Sequence, residues 1–111
     1  MIEKTVRDYL AAKLSVPVLM EEPEKPAKSW VRIEKTGSGR KDWINEATLA
    51  VQSYASSLFE AAALNEEVKS AMTDVIALDD VCRCDLNSDY NFTDPKTHRY
   101  RYQAVFEIKH Y

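Results

Sequence analysis

Ser57-Leu58-Phe59-Glu60-Ala61-Ala62-Ala63-Leu64-Asn65-Glu66-Glu67-Val68-Lys69-Ser70-Ala71-Met72-Thr73-Asp74-Val75 is the stretch that decides the fold. It opens with a capping box, in which the Ser57 hydroxyl accepts from the third backbone N–H and Glu60 reaches back. Leu58, Ala61/Ala62, Leu64, Val68, Ala71/Met72 and Val75 then recur at three and four residues, one apolar stripe over about five turns. Glu60, Glu66, Glu67 and Lys69 lie largely off that stripe. A helix with one apolar face needs a surface to cover, and the segments on either side supply it.

Upstream, Trp43 to Tyr54 alternates Ala47, Leu49 and Val51 against Thr48, Ala50 and Gln52, the period of a strand. Trp30 to Thr36 alternates in the same way, with Val31, Ile33 and Lys35 opposite Trp30, Arg32 and Glu34. Thr36 to Asp42 holds both glycines, Gly37 and Gly39, and reads as the clearest loop. Glu21 to Lys28, with Pro23 and Pro26 among charges, is a surface connection; Val16, Val18 and Met20 suggest a brief strand before it. Ile2, Val6, Tyr9/Leu10 and Leu14 form a short amphipathic helix, ended by Ser15 and by Pro17, which disfavours helical geometry at Val16.

Downstream, Val81 to Leu86 alternates with Cys82, Cys84 and Leu86 on one face. A polar run from Asn87 to Pro95 follows as a loop. Tyr100, Tyr102, Ala104, Phe106, Ile108 and His110 then face one way, and Arg99, Arg101, Gln103, Val105, Glu107 and Lys109 the other, a long strand. Asp94-Pro95 suits the turn of a hairpin joining the last two strands. The expected order is α-β-β-β-α-β-β: one α+β domain over residues 1–111, with a mainly antiparallel or mixed sheet and both helices on one face.

Bulk properties limit the function classes. A chain of 111 residues buries about two-thirds of its unfolded surface, enough for one core. A net charge of −3 offers no basic footprint for autonomous nucleic-acid binding. No apolar run is long enough to span a bilayer, and Met1-Ile2-Glu3-Lys4 does not begin a signal core, so the expectation is a soluble, non-secreted protein with no membrane partner. Cys82 and Cys84, two residues apart on a strand, have poor disulfide geometry and read as buried, reduced packing residues.

Chemical templates fail on spacing. His98 and His110 are the only histidines, without H-x-x-x-H spacing, so no metal site is expected. No G-x-S-x-G elbow is present. Gly37-Ser38-Gly39-Arg40-Lys41 lacks the spacing of a phosphate loop and leads into a strand. The pairs Glu21/Glu22, Glu66/Glu67 and Asp79/Asp80 diverge from each other on any regular element and read as solvated edges. The expectation is a non-enzyme without a cofactor. Tyr, Trp and Arg, the types enriched at interface hot spots, gather instead at Arg40, Lys41 and Trp43, at Tyr90 and Phe92 with Asp89 beside them, and at Arg99 and Arg101.

Trp30-Val31-Arg32-Ile33-Glu34-Lys35-Thr36-Gly37, then Leu49-Ala50-Val51-Gln52-Ser53-Tyr54-Ala55 running into a helix, resembles the tail terminator proteins of long-tailed bacteriophages. So does Leu86-Asn87-Ser88-Asp89-Tyr90-Asn91-Phe92-Thr93-Asp94 followed by Arg99-Tyr100-Arg101-Tyr102-Gln103-Ala104-Val105-Phe106. These proteins also go by the names tail completion, head-tail joining and minor capsid proteins. The resemblance covers nearly the whole chain. It implies a structural virion-assembly protein that forms a ring, a hexamer in this family, on the end of the tail tube. The implied partners are further copies of itself, the tail tube protein and the head connector, with DNA passing through the lumen without specific binding. It also implies residence in the host cytoplasm during assembly and then at the head-proximal end of the tail. Arg40/Lys41 against Glu21/Glu22 or Asp79/Asp80 is one pairing for subunit contact. The competing readings are a generic α+β binding or regulatory module, dimeric through its last strand, and a small enzyme or nucleotide binder using the Gly37–Gly39 loop.

Overall fold

In the computed structural model, which describes residues 1–111, Ser57 caps its helix as its sequence position demands. Its hydroxyl accepts from the Glu60 amide at 3.1 Å, while the Glu60 carboxylate makes no return bond. Helix α2 runs Leu58–Thr73 and buries Ala61, Leu64, Asn65, Val68 and Met72. Leu58, placed on the apolar stripe, is exposed, and Val75 reaches the core from a short 3-10 turn, Val75–Ala77, beyond the helix end. Helix α1, Ile2–Lys13, buries Ile2, Val6 and Leu10.

Between and after the helices lie β1 (Val18–Leu19), β2 (Trp30–Lys41), β3 (Ile44–Tyr54), β4 (Val81–Asn91) and β5 (Arg101–His110). They form one mixed sheet in the order β1-β2-β3-β5-β4. The β2–β3, β3–β5 and β4–β5 pairs are antiparallel. β1 is the exception, parallel to β2 through Val18↔Val31 and Leu19↔Arg32. The proline-bearing segment 20–29 is long enough to carry the chain back, so a parallel neighbour is possible where a tight hairpin would forbid it. The protein is a single α+β domain with the α-β-β-β-α-β-β order, and both helices share one core with the sheet. That core joins Val6 and Leu10 of α1, Leu64, Val68 and Met72 of α2, and Ile33, Leu49, Val51, Phe106 and Ile108 of the sheet. No helix is long and apolar enough to cross a membrane.

Three sequence expectations are corrected. The Thr36–Asp42 loop is strand almost throughout: Gly37 to Lys41 pairs residue by residue with Thr48 to Ile44, after a register shift between Lys35 and Gly37. Neither glycine has positive φ, so both lie in ordinary extended backbone. The turn is only Asp42-Trp43, at φ 53° and 70°. Left-handed backbone at both central residues is what a two-residue hairpin of matching twist requires, and it is normally filled by Asn-Gly. A Trp there stores about 1–2 kcal/mol of strain. Second, Asn87–Asn91 is also strand, the end of β4, because its ladder with β5 overrides its polar composition. Tyr90 is therefore a strand residue. Third, Cys82 is exposed rather than buried: a register shift between Val81 and Arg83 leaves it out of the β4–β5 ladder, and only Cys84 packs against the core.

The last strand, β5, lies inside the sheet between β3 and β4, so it has no free edge through which to pair with another copy.

Candidate interface surfaces

The eight residues singled out by sequence divide between two ends of the sheet and one side of it. β3 is the ruler. Trp43 stands before its first residue and Tyr54 is its last, about 35 Å apart in extended chain.

At the Trp43 end, the β2–β3 hairpin presents Arg40, Lys41 and Trp43. The indole is 85% exposed although its backbone is held in a fixed two-residue turn. The Arg40 guanidinium lies 5.5 Å from the ring centroid. Neither Arg40 nor Lys41 has a carboxylate within ion-pair distance. Asp80 belongs to this same end, where its carbonyl accepts from the Tyr111 amide, whereas Glu22 pairs with Arg99 at the other. Of the two pairings expected for Arg40 and Lys41, one thus finds Glu22 already engaged within the chain.

The Tyr54 end is the reverse in character. On the sheet face away from the helices, Trp30 stacks on Tyr54 at 4.3 Å between centroids with planes 4° apart. Arg99 and Arg101 sit 5.1 and 5.8 Å from the same tyrosine ring. Arg101 donates from Nε to the Phe92 carbonyl at 2.6 Å and from a terminal nitrogen to the Tyr54 hydroxyl at 3.1 Å, with its plane 4.5 Å from the Phe92 ring. The chain of bonds continues inward. Tyr54 donates to Gln52 at 3.3 Å, Gln52 to Gln103 at 2.8 Å, and Gln103 to the Tyr90 oxygen at 2.5 Å. Tyr90 and Phe92 meet edge to face at 5.8 Å. Four of the sequence candidates, Tyr90, Phe92, Arg99 and Arg101, therefore belong to one network whose polar groups are mostly satisfied within the chain. It ties β3, β5 and β4 together on a face that no helix covers.

Asp89 points the other way. Its carboxylate takes Lys69 Nζ at 3.1 Å and Asn65 Nδ2 at 3.2 Å, pinning α2 to β4. Hydrogen bonds to Glu66 and then Asp89 hold the Lys69 ammonium above its ordinary range. Asp89 is thus a tether inside the chain. Sequence reasoning missed its partners, along with Gln52, Gln103 and the Trp30–Tyr54 stack, because each contact joins residues 20 or more positions apart or on different strands.

The reactive side chains do not converge. No group of three or more His, Cys, Asp or Glu is placed to hold a metal ion. Burial, with Asp85 adding to it, pushes the Cys84 thiol up to about 11, which leaves it protonated and a poor nucleophile near neutral pH. The segment proposed to cradle a phosphate is a hydrogen-bonded strand with no concave run of amides. No family model matches this chain, and no curated protein matches it in sequence.

Proposed function

We propose that this protein is a non-enzymatic structural component of a long-tailed phage or prophage, one that caps the tail tube as a ring and joins it to the head connector. The reading rests on the sequence resemblance, and one structural observation supports it above the others. A hairpin tip fixed in a strained turn carries an exposed tryptophan and two cations without acidic partners. Aromatic and arginine side chains held out in this way are the material of interface anchors. The tip lies at one end of a molecule 43 Å long, so a partner can meet it without crossing the helical layer. Closed rings use two different patches on each subunit, and a tip at one end leaves the remaining surface to supply the second. The net charge of −3 suits a lumen through which DNA passes without being held.

The test is electron microscopy of the purified chain, alone and mixed with tail tube subunits, with binding to tube and connector proteins measured in parallel. Six-fold rings, or caps at the ends of tubes whose growth stops, are expected. A chain that stays monomeric at high concentration and binds neither tube nor connector proteins contradicts the proposal.

A further inference from the structure

We infer that the two free edges of the sheet meet between copies, the outer edge of β2 in one against β4 of the next, with Arg40 and Lys41 facing Asp79 and Asp80. The inference rests on the ring-forming role proposed above and assigns its contact. The sheet ends on β1 and β4, but β1 covers β2 only at Val31 and Arg32. From Ile33 to Lys41 no strand lies outside β2, and none lies outside β4. Such edges are templates for a further strand, because their outward N–H and C=O groups lack backbone partners. Three antiparallel steps, through β3 and β5, separate β2 from β4, so the two edges run in opposite directions. Copies set side by side in the same orientation therefore bring β4 against β2 as an antiparallel pair.

Register and charge select the occupant. Arg40, Asn45, His110 and Val81 form one row across the sheet, so Arg40 and Val81 stand at the same height on opposite edges. One residue farther out come Lys41 on one edge and Asp80 on the other, with Asp79 next to it. All four charged side chains are exposed, and none has an ion-pair partner in its own chain. Rotation about an axis along the strands preserves height, so a ring lays these cations beside these acids at every contact. The rows below fit as well. Arg83 and Asp85 of β4 meet Gly39 and Gly37, which carry no side chain to obstruct them. Neither glycine has positive φ, and a Cβ at Gly39 would meet nothing in its own chain, so a bare backbone there serves no need of the subunit itself. The bulge residues Thr36 and Asn87 flank a single row, that of Lys35 and Leu86, so both edges bend at nearly the same height. Trp43, two residues past Lys41, is carried into the same contact.

Charge reversal isolates the two edges. Arg40→Glu with Lys41→Glu reverses one, and Asp79→Lys with Asp80→Lys reverses the other, all at exposed side chains. Unchanged melting checks the fold of both variants. In sedimentation velocity over a concentration series, the wild-type chain is expected to associate, and each reversed chain to need at least about tenfold higher concentration for the same association. The chain with all four substitutions has opposite signs facing again and should associate as the wild type does. Hydrogen exchange on the assembled wild type should slow at outward-facing amides within both Glu34–Gly39 and Arg83–Ser88, which contact through side chains alone would not do. Either reversed chain assembling like the wild type, a fourfold variant as weak as the two reversed chains, no new amide protection on one of the edges, or a closed two-fold dimer overturns the contact. A wild-type chain that is monomeric alone yet binds tube subunits also overturns the contact and leaves the terminator role standing. One that does neither overturns both.

Discussion

The two ends of the β3 strand hold the same kinds of side chain and use them in opposite ways. At the Tyr54 end, arginine over aromatic is an internal bond: Arg101 is fastened to Phe92 and Tyr54, and Tyr54 lies flat on a Trp30 that is only 2% exposed. At the Trp43 end, Arg40 over Trp43 faces water with nothing beyond it. Residue type alone marks both as sticky. The difference is made by what the backbone brings near them: one end is satisfied within the chain, while the other is left open to solvent.

The comparison is broken most easily at its two tryptophans. Trp30→Ala removes a buried, stacked ring and is expected to cost about 3–5 kcal/mol in urea unfolding. A cost below 1 kcal/mol at Trp30 means that the closed end is not structural. The Cys84 thiol, packed against the core on the opposite face of the sheet, sharpens the contrast. With the Cys84 pKa at about 11 instead of 9, thiol labelling at pH 8 should run about 100-fold slower there than at a free cysteine. The sign of the linked stability follows: the folded state holds the proton more tightly than the unfolded one, so this contribution is intact below pH 9 and is lost as the pH rises from 9 to 11. Replacing Cys84 by Ser should flatten that limb of the pH–stability curve.

Smaller effects separate the ends further. Arg101→Ala leaves the hydroxyl of the buried Tyr54 and the Phe92 carbonyl short of a donor, and about 1–3 kcal/mol of stability should go with it. At the open end the sign reverses. Trp43→Gly relieves left-handed strain and should raise stability by about 1 kcal/mol while weakening association, the trade expected where a strained residue serves a partner. Least of all, Gly39→Ala should add about 0.5 kcal/mol, because φ there is ordinary and an added Cβ meets nothing within 4 Å. A loss at Gly39 indicates that this edge already needs a bare backbone for contact.

Much of the architecture was legible in the residues. The capped helix, the order of elements and the final hairpin follow from periods of 3.6 and 2 that the core face enforces. The errors lie where that face gives no signal. Gly37-Ser38-Gly39 and Asn87-Ser88-Asp89 carry turn-type composition, yet their cross-strand ladders keep them extended, and the sheet face away from the helices demands no apolar alternation. Asp42-Trp43 does not have the Asn-Gly pattern of its turn, so the hairpin's true length was hidden. The candidate surface was legible in type and not in state. Nothing in the chain order says that Arg101 is tied to Tyr54, 47 residues away, that Asp89 is tied to Lys69, or that Arg40 is tied to no acid.

Hydroxyl-radical footprinting of the free and assembled chain tests the central claim most directly, since it reads both ends of the sheet in one experiment. Assembly should protect Trp43 by about tenfold or more, as burial of an interface anchor demands, and leave Trp30 and Tyr54 as unreactive as they are in the free chain. Assembled material in which Trp43 reacts as fast as in the free chain, with new protection confined to Tyr90 and Phe92, contradicts the account.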